Sequence, residues 1–152
     1  MKPPAAALIC SLVAGLVVAG YSTLFHEGAA ASYRLYYYTP AAMAAGSLVM
    51  ERIGRRQESN GVRWLIDAAV TVLCLSRPIW GWPPASGHAL FFVHALLTGS
   101  SRLTRILAIL LGVITLYAKI WLWHGDPTLL PGLGCGLISG VLWRKTVGKQ
   151  PT

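Results

Sequence analysis

Six apolar stretches follow one another along the chain, separated by short polar or Gly/Pro-rich breaks. They cover 4–25, 35–50, 62–76, 85–99, 106–123 and 128–143. The first has 22 residues, enough at about 1.5 Å per residue to cross a hydrocarbon layer of about 30 Å. Several of the others hold only 15 to 18, short of the roughly 20 expected of a span. They can lengthen into flanks rich in Trp, Tyr and Arg, whose polar ends reach the interface. Helical periodicity within the stretches is weak, as expected of helices that are apolar on every side. The pattern predicts an all-α bundle of about six transmembrane helices. Residues 1–152 form a single membrane domain with a short basic tail at 144–152 and no internal repeat.

Composition agrees. Of 152 residues, 55% are hydrophobic and only 12% charged, and the mean hydropathy is +0.56. A disordered chain would be polar and charge-rich. A soluble domain this small could not hide so much apolar surface. Lys2 before the first apolar run, with Ala29, Ala30 and Ala31 beyond it, could mark a cleaved signal peptide. The run is longer than a signal core and the alanines lie far past it, so an uncleaved first helix is expected. Cys10, Cys74 and Cys135 are widely spaced in apolar runs and form no CxxC pair or disulfide framework.

The net charge is +8. Six spans would put Lys2, Arg52, Arg55, Arg56, Arg63, Arg102, Arg105, Arg144, Lys145 and Lys149 on one face, and only Arg34, Arg77 and Lys119 on the other. Cationic loops stay cytoplasmic. The basic face is therefore expected inside, with both termini, and the chain in a membrane such as the bacterial inner membrane. The cations are divided among four segments with no binding motif, so no nucleic-acid partner is expected.

The sparse outward face holds the informative chemistry. His26, His88 and His124 fall there with Arg77, Lys119 and Asp126. The third stretch ends Ser76-Arg77-Pro78, the fourth begins Pro83-Pro84-Ala85-Ser86-Gly87-His88, and the fifth ends Lys119-Ile120-Trp121-Leu122-Trp123-His124. Pro-Pro suits a helix start. Gly87 lets an anion approach a helix N-terminus, and Ser86 adds a hydroxyl. Arg77 can grip phosphate with two N–H groups. Two histidines can divide nucleophile and general-acid roles near neutral pH. The set suits phosphoryl transfer without a metal or other cofactor, since the carboxylates are too few for a two-metal site.

These residues resemble the type-2 phosphatidic acid phosphatases, or lipid phosphate phosphatases. Arg77-Pro78 is similar to the end of that family's first motif, Lys, six residues, Arg-Pro. Ala85-Ser86-Gly87-His88 is similar to its second, Pro-Ser-Gly-His. His124 stands in its third, Ser-Arg, five residues, His, three residues, Asp, and Gly132 where a Gly often follows. The departures are Val70 at the Lys position, Ala118 at the Arg position with Lys119 one place later, and Thr128 at the Asp position with Asp126 two places earlier. Arg34 is one candidate for the cation missing at Val70.

The resemblance implies a six-helix core and an outward site. There His124 would form a phosphohistidine and His88 would protonate the leaving group. Arg77, Lys119, Ser86 and the N–H groups near Gly87 would hold the phosphoryl oxygens, and Asp126 or Thr128 would orient His124. The partner would be a membrane lipid phosphate or an isoprenyl diphosphate. Two alternatives stay open: an inactive relative that binds phosphorylated lipid, and a small transporter using Asp67, His94 and Lys119. Oligomeric state is not written in the sequence. Asp67 is expected to pair with Arg63, four residues earlier, rather than to form a relay with His94. Tyr33, Tyr36, Tyr37 and Tyr38 are expected in an interfacial belt with Trp121 and Trp123. Gly132, Gly134, Gly136 and Gly140 should let the sixth helix pack closely.

Overall fold

A computed structural model describes residues 3–25, 29–54, 61–80, 85–122 and 124–146, apart from the side chains of 3, 4, 22, 25, 29–34, 37 and 75–80. Every element among them is helical: α1 Pro3–Phe25, α2 Ala29–Gly54, α3 Gly61–Trp80, α4 Gly87–Thr98, α5 Arg102–Tyr117 and α6 Leu129–Lys145. One turn of π-helix, Ala118–Leu122, continues α5. The protein is all-α.

Helix ends differ from the hydropathy pattern where polar contacts or caps decide them. α2 begins at Ala29 instead of 35, in a helix-favouring Ala-rich segment, and runs through Pro40. It passes the apolar limit at Met50 because Glu51 finds partners in the connection between α4 and α5, and Arg52 on α3 and α4. Glu51 accepts hydrogen bonds from the backbone N–H groups of Ser100 (2.6 Å) and Ser101 (3.2 Å). It thereby sets a carboxylate at the start of α5, where a helix dipole favours one.

α3 does not stop at Ser76 but continues past Pro78 to Trp80. Pro78 has no N–H to give the Cys74 carbonyl, and that carbonyl lies against Gly87 at the start of α4. α4 is shorter than expected. Ser86 caps it, its Oγ accepting from the Ala89 N–H at 3.4 Å, so Ala85 and Ser86 fall outside the helix. Pro83 and Pro84 lie outside the described residues. α5 starts at Arg102 rather than 106 because Ser101 caps it, its Oγ accepting from the Thr104 N–H at 3.0 Å.

The bundle carries many large apolar side chains on its surface and several polar ones inside. Large apolar side chains point outward: Leu24 is 78% exposed, Leu130 76% and Trp121 71%. Inside are small or polar residues, among them Ser47, Ser86, His94, Thr104, Thr115 and Lys119. The apolar core comprises one cluster of Ala44, Ala89, Phe92, Leu107 and Leu111 and a second of Leu48, Ala95 and Ala108, both from α2, α4 and α5. Small buried residues let backbones approach, and buried hydroxyls then bond locally or across helices, as Ser47 does with Thr104 at 2.7 Å.

α6 shows the close approach most clearly. A Cβ on Gly132 would lie 2.6 Å from the Ser86 carbonyl oxygen, one on Gly136 2.6 Å from that of Leu90, and one on Gly140 2.5 Å from the Leu97 side chain. Gly134 faces open space. Three of the four expected glycines thus seat α6 on α4. Among the described residues, the continuous Arg102–Leu122 segment of 21 residues is the one helix long and apolar enough to cross a bilayer.

Gly136→Ala must push backbone from backbone, and is expected to cost about 1–3 kcal/mol of stability. Gly134→Ala is expected to be neutral or to stabilise by up to about 1 kcal/mol. Unfolding curves of the two variants in detergent check this, and equal behaviour would break the assignment of the α4–α6 contact.

Candidate functional site

The expected site assembles around the start of α4. Ser86 is buried, and its N–H donates to the Thr128 carbonyl at 2.8 Å. This bond joins the beginnings of α4 and α6. His88 follows in the first turn, half-buried, with its ring 5.1 Å from that of Tyr38 at a tilt of 55°. α5 supplies the cation. Its inward stripe of Thr104, Leu107, Ala108, Leu111, Gly112 and Thr115 continues through Ala118 to Lys119, the i, i+3, i+4 spacing of one helix face. Lys119 is only 3% exposed, and its charge acts on His88.

The chain then reverses. The Lys119 carbonyl accepts from the N–H groups of Gly125 (3.0 Å) and Asp126 (3.1 Å). His124 (φ 50°) and Gly125 (φ 86°) both take left-handed backbone to allow it, a conformation uncommon outside glycine. The reversal leaves the His124 side chain exposed and returns Asp126 toward Lys119. The Lys119 Nζ donates to Asp126 Oδ2, while Oδ1 accepts from the Thr128 N–H at 2.8 Å. Burial alone would raise the Asp126 carboxyl, but the hydrogen bonds from Lys119 and Thr128 and the Lys119 charge outweigh it and hold it down at about 2.

Ser86, Gly87, His88, Lys119, Asp126 and Thr128 therefore meet at one end of the bundle, with His124 in the turn that closes it. The Asp126 carboxylate, expected beside His124, is engaged by Lys119 and Thr128. Gly87 serves packing: a Cβ there would lie 2.7 Å from the Cys74 carbonyl oxygen of α3. Val70, at the position of the expected lysine, is a buried apolar residue of α3. Arg77 lies on the helical backbone of α3, and its side chain is outside the described residues, as are His26, Trp123 and the side chains of Tyr33, Arg34 and Tyr37.

A second polar cluster occupies the opposite end. Asp67 does not pair with Arg63. Its Oδ2 accepts from Arg52 Nε at 2.8 Å, and its Oδ1 lies 2.9 Å from His94 Nε2. Arg63 instead donates to Thr146 and lies over the Trp143 ring, which Arg52 also approaches at 4.2 Å. Arg52 reaches further to the Thr98 hydroxyl at 2.8 Å, and His94 Nδ1 meets Ser139 Oγ at 3.0 Å. In sequence, Asp67, His94 and Ser139 stand in three separate apolar runs. Such residues seek one another because a buried polar group needs a partner within the protein. The i, i+4 spacing favoured Arg63, yet Arg52 lies deeper and reaches the carboxylate.

Ser139, His94 and Asp67 follow the order of an acyl-transfer triad. The arrangement is a clasp rather than a reactive centre. His94 is 1% exposed, the Ser139 hydroxyl also reaches the Gly136 carbonyl at 3.0 Å, and the second Asp67 oxygen is held by Arg52. Comparison with known proteins supplies no relative: no family model, curated protein or solved structure matches the chain.

Asp67→Ala leaves buried Arg52 and His94 without their carboxylate, and is expected to cost about 3–5 kcal/mol. A double-mutant cycle should give a larger coupling for Arg52 with Asp67 than for Arg63 with Asp67; the reverse order would refute the clasp. The Asp126 contact carries a pH signature. Its folded-state pKa lies below the ordinary aspartate value of 3.8, so its stabilisation is complete above about pH 4 and lost as pH falls toward 2. Thermal unfolding between pH 2 and 6 should show that loss in the native chain and not in Asp126→Asn.

Proposed function

We propose that the chain is an integral membrane protein with its six helices in the bilayer, and that its His88 end hydrolyses a phosphomonoester or diphosphate on a membrane lipid. Three observations support the membrane half. Large apolar side chains cover the bundle surface, while polar groups such as Ser47, His94, Thr104 and Lys119 are buried beside its apolar core. The Arg102–Leu122 segment has the length and composition of a span. Described cations crowd the Arg52 end, whereas Lys119 at the His88 end is matched by Asp126. On the positive-inside rule the His88 end faces outward, the periplasmic side of a bacterial inner membrane, with both termini cytoplasmic. α4 has 12 residues and rises about 18 Å. With its end at the inner interface, its start lies within the roughly 30 Å hydrocarbon layer, a recess suited to a headgroup whose lipid tail stays in the membrane.

The observation that carries the phosphatase half is the meeting of the Ser86–His88 helix start, the buried Lys119 and the His124 turn at one place. This is the order of groups that the resemblance to lipid phosphate phosphatases requires. His124 nitrogen attacks phosphorus, the bond from phosphorus to the lipid oxygen breaks, and His88 gives that oxygen its proton. Water then gives a proton to His88 and attacks the phosphohistidine, so that the bond from phosphorus to nitrogen breaks, phosphate leaves, and both imidazoles return to their starting states. Lys119, Arg77 and the N–H groups at Gly87 would stabilise the charge on the phosphoryl oxygens, which supplies most of the catalysis in this class of reaction. Phosphatidic acid, phosphatidylglycerol phosphate and isoprenyl diphosphates all carry the required group.

A second reading has specific support. Lys119 already holds Asp126, and Val70 takes the place of the family's lysine. Both features suit a relative that binds phosphorylated lipid without turnover. A carrier using Asp67, His94 and Lys119 on one path has no such support, because Lys119 holds Asp126 at the end opposite the Asp67–His94 contact.

Purified protein in detergent with EDTA should release phosphate from a panel of lipid phosphates. His124→Ala should abolish release and His88→Asn should slow it by about 10²- to 10⁴-fold. Release that ignores His124→Ala sinks the mechanism. Absence of release, with phosphatidic acid still bound and binding lost in Lys119→Met, selects the binding reading.

A further inference from the structure

The Arg52 end carries more positive charge than its own contacts use. Arg102, Arg105, Arg144 and Lys145 are exposed there, and none forms an ion pair among the described residues. The two carboxylates of that end among the described residues are committed elsewhere, Glu51 to Ser100 and Ser101, and Asp67 to Arg52 and His94. Cations that only record topology would be loosely solvated. Two of these are not. Arg144 Nε donates to the Leu97 carbonyl at 2.7 Å, and Arg105 Nε donates to the Gly99 carbonyl at 3.0 Å.

Both carbonyls belong to the C-terminal end of α4, two residues apart, where a helix favours cations. Each bond uses Nε and pins the side chain. It leaves the terminal N–H groups of each guanidinium, the pair that matches phosphate oxygens. The two arginines come from helices that flank α4: α5 through Gly112 against Phe92, and α6 through Gly136 and Gly140 against Leu90, Val93 and Leu97. One turn further into the bundle lie Ile109 beside Arg105 and Val141 beside Arg144, 52% and 40% exposed.

We propose that Arg105 and Arg144 bind the phosphodiester of an anionic phospholipid, seated on the C-terminal end of α4 with its acyl chains along Ile109 and Val141. The proposal rests on the membrane half of the function above and is independent of the phosphatase half. Charge selects the lipid. A phosphatidylglycerol headgroup brings a net negative charge to four exposed cations, whereas the choline of phosphatidylcholine is repelled by them.

The test is native mass spectrometry of the full chain in detergent with dioleoyl phosphatidylglycerol or dioleoyl phosphatidylcholine. The native chain should retain phosphatidylglycerol and not phosphatidylcholine. Arg105→Gln with Arg144→Gln should weaken retention about tenfold or more, while Lys145→Gln, which removes a charge without an anchored guanidinium, should weaken it by no more than a few-fold. Equal retention of the two lipids, an equal loss in Lys145→Gln, or full retention in the double variant would overturn the site. If the double Gln variant fails to fold, Arg105→Lys with Arg144→Lys keeps the charge and removes the fork; unchanged retention there also overturns it. Sedimentation with carbonate-washed membranes separates the two failures. A chain that leaves the membrane refutes the membrane reading, and one that stays yet ignores the arginines refutes only the lipid site.

Discussion

The seating of α6 on α4 positions both polar ends of the molecule. Gly132, Gly136 and Gly140 remove the side chains that would hold the two backbones apart. At one end this closeness allows the Ser86 N–H to reach the Thr128 carbonyl, which fixes the turn carrying Asp126 against Lys119. At the other it brings Ser139 to His94 and Arg144 to the Leu97 carbonyl. A wider spacing would sever these contacts together, because a hydrogen bond lengthened past about 3.5 Å is no longer one.

Electrostatics then divides the labour. Among the described residues, the buried cations have an opposite partner within reach: Arg52 has Asp67, and Lys119 has Asp126. A buried pair costs its desolvation and returns much of it only with good geometry and further hydrogen bonds. The Arg52 pair has them, through Thr98 and His94, and it links α2, α3 and α4. The Lys119 pair is local, seven residues apart within one turn. One cluster therefore ties the bundle together, while the other can change partners without unfolding it.

Much of the fold was legible because long apolar runs separated by polar or Gly/Pro-rich breaks form helices. The six apolar runs became six helices, and the glycine spacing of the last marked its contact with α4. The ends were less legible. α2 and α5 were extended by Glu51 and Ser101, whose partners lie about fifty and three residues away, and only the second is visible locally. The expected Arg63–Asp67 pair failed for the same reason: i, i+4 spacing is a local rule, and Arg52 reached Asp67 across two helices. At the candidate site, motif order placed Ser86, His88, Lys119 and the 124–128 turn together. It did not reveal that Gly87 faces the α3 backbone or that Asp126 turns from His124 toward Lys119.

Under the proposed phosphatase reading, that last contact bears on how a phosphate would enter. Lys119 is buried, so it keeps an anion beside it in the resting chain, and Asp126 is that anion. A phosphoryl group carries more charge than a carboxylate and presents three oxygens, so it competes for the same ammonium on favourable terms once it arrives. Displaced, the Asp126 carboxylate keeps its bond from the Thr128 N–H and remains in the turn that carries His124. The exchange would bring a negative charge free of Lys119 near the imidazole at the moment that imidazole faces the substrate. The spacing that departs from the family pattern, with the acid two residues early, is thus compatible with an acid that serves the cation first and the histidine second.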